Sequence, residues 1–420
     1  MVDPKLSELA ETLIGSEIVK LGGIIKDKIS KGEKIYNYTI GDFDSSEFPI
    51  PAVLREEIKK AYDEGYTTYP IADGETDLRK AVAGFLKNKQ QLDIDISEIL
   101  IAAGGRPLIY AAFRAIVDKR EKVIYPVPSW NNNHYTHFTE GEHVKIEALQ
   151  ENNFMPTAEQ IRPHVKGAAL IALCSPLNPT GTVFKKQNLL EICDLIITEN
   201  EQRGEGEKKL YLLYDQIYWT LTFGDTEHFN PVTLRPQMKA YTVFIDGISK
   251  AFAATGVRVG WSFGPKHLIA KMKAINSHVG AWAPMAEQKA VAKFLVQQEV
   301  VDNYFVNFKN EIDFRLKKLH DGFIALKEEG FAVDAIYPQA AIYLTVKIDL
   351  VGKSFNGVKI ESQPAVTEYI LNEAKLAMVP FSSFGAKAES CWYRISVGCV
   401  KKEDIYDVLF KLKIALEKLN

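Results

Sequence analysis

Cysteine is scarce in this chain: 420 residues carry four, Cys174, Cys193, Cys391 and Cys399. None belongs to a C-x-x-C pair and none has a histidine at metal-ligand spacing, which argues against a disulfide framework and leaves no metal site to expect. The four read as buried, reduced thiols, pointing to a reducing compartment. Long apolar runs are missing too. No window approaches the roughly 20 apolar residues of a membrane span. Met1–Ala10, with Asp3, Lys5 and Glu8, lacks the apolar stretch of a secretion signal. The expectation is a cytoplasmic protein. Neither sign of charge dominates, since 51 Lys and Arg face 54 Asp and Glu. Basic residues cluster only in pairs such as Lys185-Lys186 and Lys401-Lys402, the second followed at once by Glu403 and Asp404. Nucleic acid and anionic membrane are therefore not expected partners. Internal repeats and low-complexity segments are also lacking.

What is present is an ordinary globular composition, 46% hydrophobic and 25% charged, in a chain too long for one core, so two domains are expected. Short apolar runs at Ile99–Ala103, Val123–Tyr125, Val144–Ile146, Ala168–Leu173, Leu210–Tyr214, Tyr241–Ile245 and Val257–Phe263 read as buried strands. Segments with helical spacing, such as Pro107–Val117 and Gln187–Thr198, lie between them. The alternation predicts an α/β fold with a mainly parallel seven-stranded sheet covered on both faces. A long helical region, Ala286–Glu328, leads into a smaller α+β domain. Its expected strands are Phe331–Ile336, Ile342–Lys347 and Tyr393–Val397, and its helices Ala365–Ala374 and Ile405–Leu419. The expected division is 51–290 for the large domain and 1–50 with 291–420 for the small one. Ligands of such sheets sit at the carboxyl ends of strands, so the loops there are where chemistry is sought.

Five motifs fall at those ends. Ala102-Ala103-Gly104-Gly105-Arg106-Pro107 joins a strand to a helix; paired glycines and free N–H groups suit a phosphate, and Pro107 suits a first helical position, although a plain turn explains it as well. Pro126-Val127-Pro128-Ser129-Trp130 offers an indole that either packs or covers an aromatic ligand. Ser175-Pro176-Leu177-Asn178-Pro179-Thr180-Gly181 is turn-like, with X-Pro bonds open to the cis form. In Tyr214-Asp215-Gln216-Ile217-Tyr218, Asp215 ends an apolar strand, where a buried carboxylate needs a partner such as a protonated ring nitrogen. Gly247-Ile248-Ser249-Lys250-Ala251-Phe252 sets a lysine among apolar residues, which can make its amine nucleophilic, and Thr255-Gly256-Val257-Arg258 follows.

Together the motifs resemble the class I and II aminotransferases, the fold-type I family of pyridoxal-phosphate enzymes, from about Gly41 to Gly398. Asn178, Asp215, Tyr218, Lys250 and Arg258 stand in the family's order and spacing. The resemblance implies that Lys250 carries pyridoxal 5′-phosphate as a Schiff base and moves the substrate Cα proton. It implies that Asp215 faces the pyridine nitrogen, Asn178 and Tyr218 the phenolic oxygen, and Trp130 the ring. Gly105, Arg106 and Arg258 match positions near the phosphate. Tyr69, five residues before Gly74, matches a tyrosine that reaches the neighbouring subunit's phosphate, implying a homodimer with shared sites. Arg394 matches the arginine that grips the substrate α-carboxylate, and Gly41 the glycine beside it. The implied reaction moves an amino group from an L-amino acid to a 2-oxo acid through a pyridoxamine form.

Departures are visible. Gly247 replaces the Ser or Thr with which many relatives hold phosphate, leaving Ser249 as a candidate for that contact. Gln216 replaces Glu after the aspartate, and Phe381 follows Pro380 where glycine is common, which would narrow the substrate pocket. In a subgroup acting on acidic substrates a lysine occupies the place of Arg106 and binds the distal carboxylate; the arginine here implies a preference for aspartate or glutamate. Two other readings share these motifs: a β-eliminating lyase, and a regulator that binds the cofactor without turnover. The regulator is disfavoured because only 40 residues precede Gly41 and they are not strongly basic.

Overall fold

The computed structural model describes residues 5–15 and 17–420. Residues 1–4, part of the stretch read as lacking a secretion signal and of the segment 1–50 assigned to the small domain, lie outside the described residues, as does Ser16.

The seven apolar runs form one sheet. Its strands are β1 (Ile99–Ala102), β2 (Lys122–Val127), β3 (Glu142–Glu147), β4 (Ala168–Cys174), β5 (Tyr211–Asp215), β6 (Thr242–Gly247) and β7 (Gly260–Phe263). Their order across the sheet is β1-β7-β6-β5-β4-β2-β3. Four neighbour pairs are parallel; β7 alone runs against both of its neighbours, β1 and β6. The sheet is thus mainly parallel, as expected for runs that are largely apolar; the central strands are covered by helices on both faces, while the edge strand β3 (sequence EHVKIE) is mostly exposed. The strand expected from Val257 begins only at Gly260, because Val257 to Val259 belong to the loop that carries Arg258.

One large core lies on a face of this sheet, from Leu78 and Phe85 through Ile171, Leu212 and Trp261 to Phe294 and Val301. A second core covers the other face beneath the helix Gly105–Ile116, whose Leu108, Ile109, Ala112, Phe113 and Ile116 recur at helical spacing. That helix opens two residues before Pro107, which occupies its third position rather than its first. A third core serves a smaller sheet of β8 (Val333–Ala335), β9 (Tyr343–Ile348), β10 (Val379–Pro380) and β11 (Trp392–Ser396), ordered β10-β11-β9-β8. It also takes in Tyr36, Tyr38 and Phe48 from the N-terminal segment. The expected helical region Ala286–Glu328 is two helices, Met285–Leu295 and Gln298–Glu328. The second passes from the first core at Val301 to the third at Phe308.

Phe252, two residues beyond Lys250, is fully buried between these helices, with Phe294 and Phe305 rings each 5.0 Å away. It ties the loop after β6 to both. Phe252→Ala is expected to cost about 3–5 kcal/mol through the cavity it leaves. The measurement is the shift in urea midpoint relative to the parent chain.

Candidate active site

The carboxyl ends of β4, β5 and β6 open into a cavity of about 760 Å³, within the range of small-molecule sites. Of the twelve positions singled out in the sequence, eleven line it: Gly41, Gly105, Arg106, Trp130, Asn178 and Asp215, then Tyr218, Ser249, Lys250, Arg258 and Arg394. Tyr69 does not. It lies on the surface, 84% exposed, edge-on to Trp282 at 5.4 Å.

Lys250 sits on the single turn Ile248–Ala251 that follows β6. Its Nζ donates to the carbonyl of Gly41 at 2.5 Å. Burial pushes its amine down to about 8, opposed by the nearby Asp42 carboxylate. The Gly41 loop is held in place by close contacts. Asp44 N–H donates to Gly398 O at 2.9 Å, Thr255 Oγ1 donates to Asp42 Oδ1 at 2.6 Å, and a Cβ at Gly398 would lie 2.0 Å from the Asp42 carbonyl.

Asp215 ends β5, level with Cys174 on one side and Ile245 on the other. Its one hydrogen-bond donor among the described residues is the Ile217 amide at 3.0 Å, and it forms no ion pair there. Burial accordingly pushes its carboxyl up to about 6. Gln216 points away from it, into a buried polar cluster with Asp246 and Asn230.

Arg394 comes from β11 of the smaller sheet and is buried. Its Nη1 donates to Asn178 Oδ1 at 3.0 Å and its Nη2 to Thr39 O at 2.6 Å, while its Nε has no partner among the described residues. The guanidinium lies 4.7 Å from the Tyr343 ring centroid and 5.0 Å from that of Phe384. Phe381 does not line the cavity; it packs against Phe154 at 5.2 Å, and Phe384 takes the place beside Arg394, so the expected narrowing by Phe381 is not found. Tyr218 shares a 2.5 Å hydrogen bond with Tyr343.

At the other end of the cavity the backbones crowd. A Cβ at Gly104 would lie 2.3 Å from Arg258 Nη2, one at Gly260 2.6 Å from Gly104 C, and one at Gly247 2.8 Å from Gly260 Cα. The departure at Gly247 therefore has a steric reason: a serine there would collide with main chain. Arg258, in left-handed conformation at φ 60°, donates to Thr255 O at 2.6 Å and Ala103 O at 2.8 Å. Arg106 rests on Trp130, its Cζ 5.5 Å from the ring, and forms no ion pair among the described residues.

Four further residues stand on the cavity wall: Asp42, Cys174 and Tyr343, which the sequence reading did not place at a site, and Thr255, which it quoted only as the start of a motif. Tyr343 stands opposite Ser396 and Thr345 opposite Arg394 in the antiparallel pair β9–β11, which puts Tyr343 and Arg394 on one face as diagonal neighbours. That register was the signal, and it exists only once the strands are paired.

A flat ring with one cationic nitrogen and an anionic tail fits this cavity. The unpaired carboxylate suits the nitrogen, the indole the ring, and the glycine-lined cradle with Arg258 the tail. The comparisons agree. Residues 33–412 match the family model described as aminotransferase class I and II. The aspartate aminotransferase of Geobacillus stearothermophilus is 27% identical over 391 residues, 91% of this chain and 92% of that protein. A probable aspartate/prephenate aminotransferase of Rickettsia felis is 28% identical over 85% of this chain and 84% of its own length. Among solved structures, the aspartate aminotransferase of Thermus thermophilus with maleate superposes with a TM-score of 0.86 at 25% identity, covering 99% of this chain and all of that one. That of Rhizobium meliloti, at 24% identity, shares the fold with a TM-score of 0.90 and full coverage of both chains. This chain belongs to the class I and II aminotransferases. It is an aminotransferase that uses pyridoxal 5′-phosphate.

The uncompensated carboxylate has a consequence for the cofactor-free protein. A carboxyl raised on folding favours the neutral acid, so stability present at low pH is lost as pH rises from about 4 to about 6. Without cofactor, Asp215→Asn is expected to be more stable than the parent by about 3 kcal/mol at pH 7 and nearly equal to it at pH 4. Urea titrations at the two pH values check this; equal differences at both would contradict it.

Proposed function

We propose that this enzyme transfers the amino group of an acidic L-amino acid, aspartate or glutamate, to a 2-oxo acid. The observation that carries the reading is the convergence of Lys250, Asp215 and Arg394, the first two partly buried and the third buried, on one cavity, with none of them in an ion pair among the described residues.

Arg394 offers its planar fork to the substrate α-carboxylate, with Asn178 and the Thr39 carbonyl fixing its orientation. Lys250 is the group that joins the cofactor and holds or moves the proton of the substrate Cα; an amine titrating near 8 is poised for both at neutral pH. Asp215 would hold the ring nitrogen, Asn178 and Tyr218 the phenolic oxygen, Trp130 the ring face, and Gly105, Ser249 and Arg258 the phosphate. When bound, the cofactor supplies an electron sink for the pair left on the substrate Cα.

Arg106 is the specificity residue in this proposal. Its guanidinium is held over Trp130 but carries no anion, so a distal carboxylate would find it oriented and unpaired. The relatives named as aspartate or aspartate/prephenate aminotransferases, and the dicarboxylate maleate with the Thermus enzyme, support this reading. We also propose a cytoplasmic homodimer. The four cysteines are free, and Tyr69 stands exposed beside Trp282 where it could complete a neighbour's phosphate site. No helix among the described residues is long and apolar enough to cross a membrane. The division into 51–290 and 1–50 with 291–420 accords with the separate cores, the helix Gln298–Glu328 being shared between them.

A panel of amino donors against 2-oxoglutarate tests the substrate class. Arg106→Ala is expected to lose about 1.5–3 kcal/mol of catalytic efficiency with the acidic donor and little with an apolar one. Equal losses would remove the specificity assignment and leave the reaction standing. Borohydride reduction should fix the cofactor on Lys250; recovery on another lysine would sink the catalytic assignment. For the dimer, Tyr69→Phe should weaken cofactor affinity without altering the sedimentation coefficient of the assembled enzyme. A fully active monomer would contradict the shared site.

A further inference from the structure

We propose that Tyr343 is a positioning residue that links the α-carboxylate site to Tyr218: its hydroxyl donates to the Tyr218 hydroxyl while its ring backs Arg394. The inference rests on the role given to Tyr218 above.

Three contacts meet at this side chain, which is 1% exposed. Its hydroxyl lies 2.5 Å from that of Tyr218 and has no other hydrogen-bond partner among the described residues. The face of its ring carries the Arg394 guanidinium at 4.7 Å. Its oxygen also presses on Gly41, where a Cβ would stand 2.9 Å away, so the loop whose carbonyl receives Lys250 is shaped around it. Each phenol has one proton. When Tyr218 turns its own toward the cofactor's phenolic oxygen, the single acceptor left for Tyr343 is the Tyr218 oxygen. A hydroxyl that accepts a hydrogen bond becomes a stronger donor. Burial keeps both phenols protonated at neutral pH. The other charged or titratable groups facing the pair are Arg394, Cys174, Asp42 and Lys250.

A stronger donor at the phenolic oxygen stabilises negative charge there and lowers its hold on the proton shared with the Lys250 nitrogen. The pH midpoint of the visible absorbance of the loaded enzyme, without substrate, reads this hold directly. Tyr218→Phe should raise the midpoint most. Tyr343→Phe, which keeps the ring, should raise it by about 0.5 pH unit, the scale of one net hydrogen bond. The double variant should match Tyr218→Phe alone, because the relay then has nothing to act through. Tyr343→Phe should leave KM for the amino donor close to that of the parent, whereas Tyr343→Leu, which removes the face under Arg394, should raise it severalfold.

An unshifted Tyr343→Phe beside a shifted Tyr218→Phe would overturn the relay and leave the proposed function intact. Additive shifts in the double variant would overturn it too. An unshifted Tyr218→Phe would overturn the role of Tyr218 itself, and the relay with it.

Discussion

Everything in the site follows from the cost of keeping a carboxylate, an ammonium and a guanidinium out of water without pairing them to one another. Asp215 has one amide donor, Lys250 one carbonyl acceptor, and Arg394 a neutral amide and a carbonyl. Left free to relax, a flexible chain would collapse such charges into ion pairs or expose them, since an unpaired buried charge is among the most expensive arrangements a protein can hold. This chain prevents collapse by mounting the three on separate rigid elements: β5, the turn after β6, and β11 of a different sheet. Burial then raises the carboxyl and lowers the amine, which brings both toward neutrality at working pH. The arrangement is strained as a protein and complementary as a receptor. A ligand with a protonated ring nitrogen, an amine-reactive carbon and a carboxylated substrate relieves all three at once.

The glycines at the opposite end serve the same purpose by a different route. Gly104, Gly247 and Gly260 bring three lengths of backbone within the distance a single methyl group would occupy. Main-chain N–H groups and Arg258 can thereby surround an anion without a side chain intervening. The absence of a hydroxyl at position 247 is part of this packing.

The small domain contributes to the cavity at more than one point. Arg394 and Tyr343 both belong to its sheet, yet one stands at the site proposed for the substrate carboxylate and the other touches Tyr218, a residue of the large sheet's loops. The Gly41 loop, pinned by Gly398 and Thr255, closes the remaining side. Movement of one domain against the other would therefore disturb the Tyr218–Tyr343 hydrogen bond and the surroundings of Arg394 together.

The sequence by itself determined the seven strands of the large sheet, because a strand covered on both faces is largely apolar at successive positions, and that pattern is local; the edge strand β3 was read from Val144 and Ile146 although most of it is exposed. It also offered Lys250, Asp215 and Asn178 as candidates, since each lies at or just after a strand end and the motifs taken together resemble the class I and II aminotransferases. Only the tertiary structure decided that β7 runs antiparallel, that Gly247 is glycine because Gly260 lies against it, and that Phe384 rather than Phe381 flanks Arg394. The same holds for Asp42 and Tyr343, which no motif announced. The physical reason is common to all of these: strand direction, backbone clearance and diagonal contact are relations between segments far apart in sequence. A linear pattern records what each segment prefers, and the partner it meets is fixed by the fold.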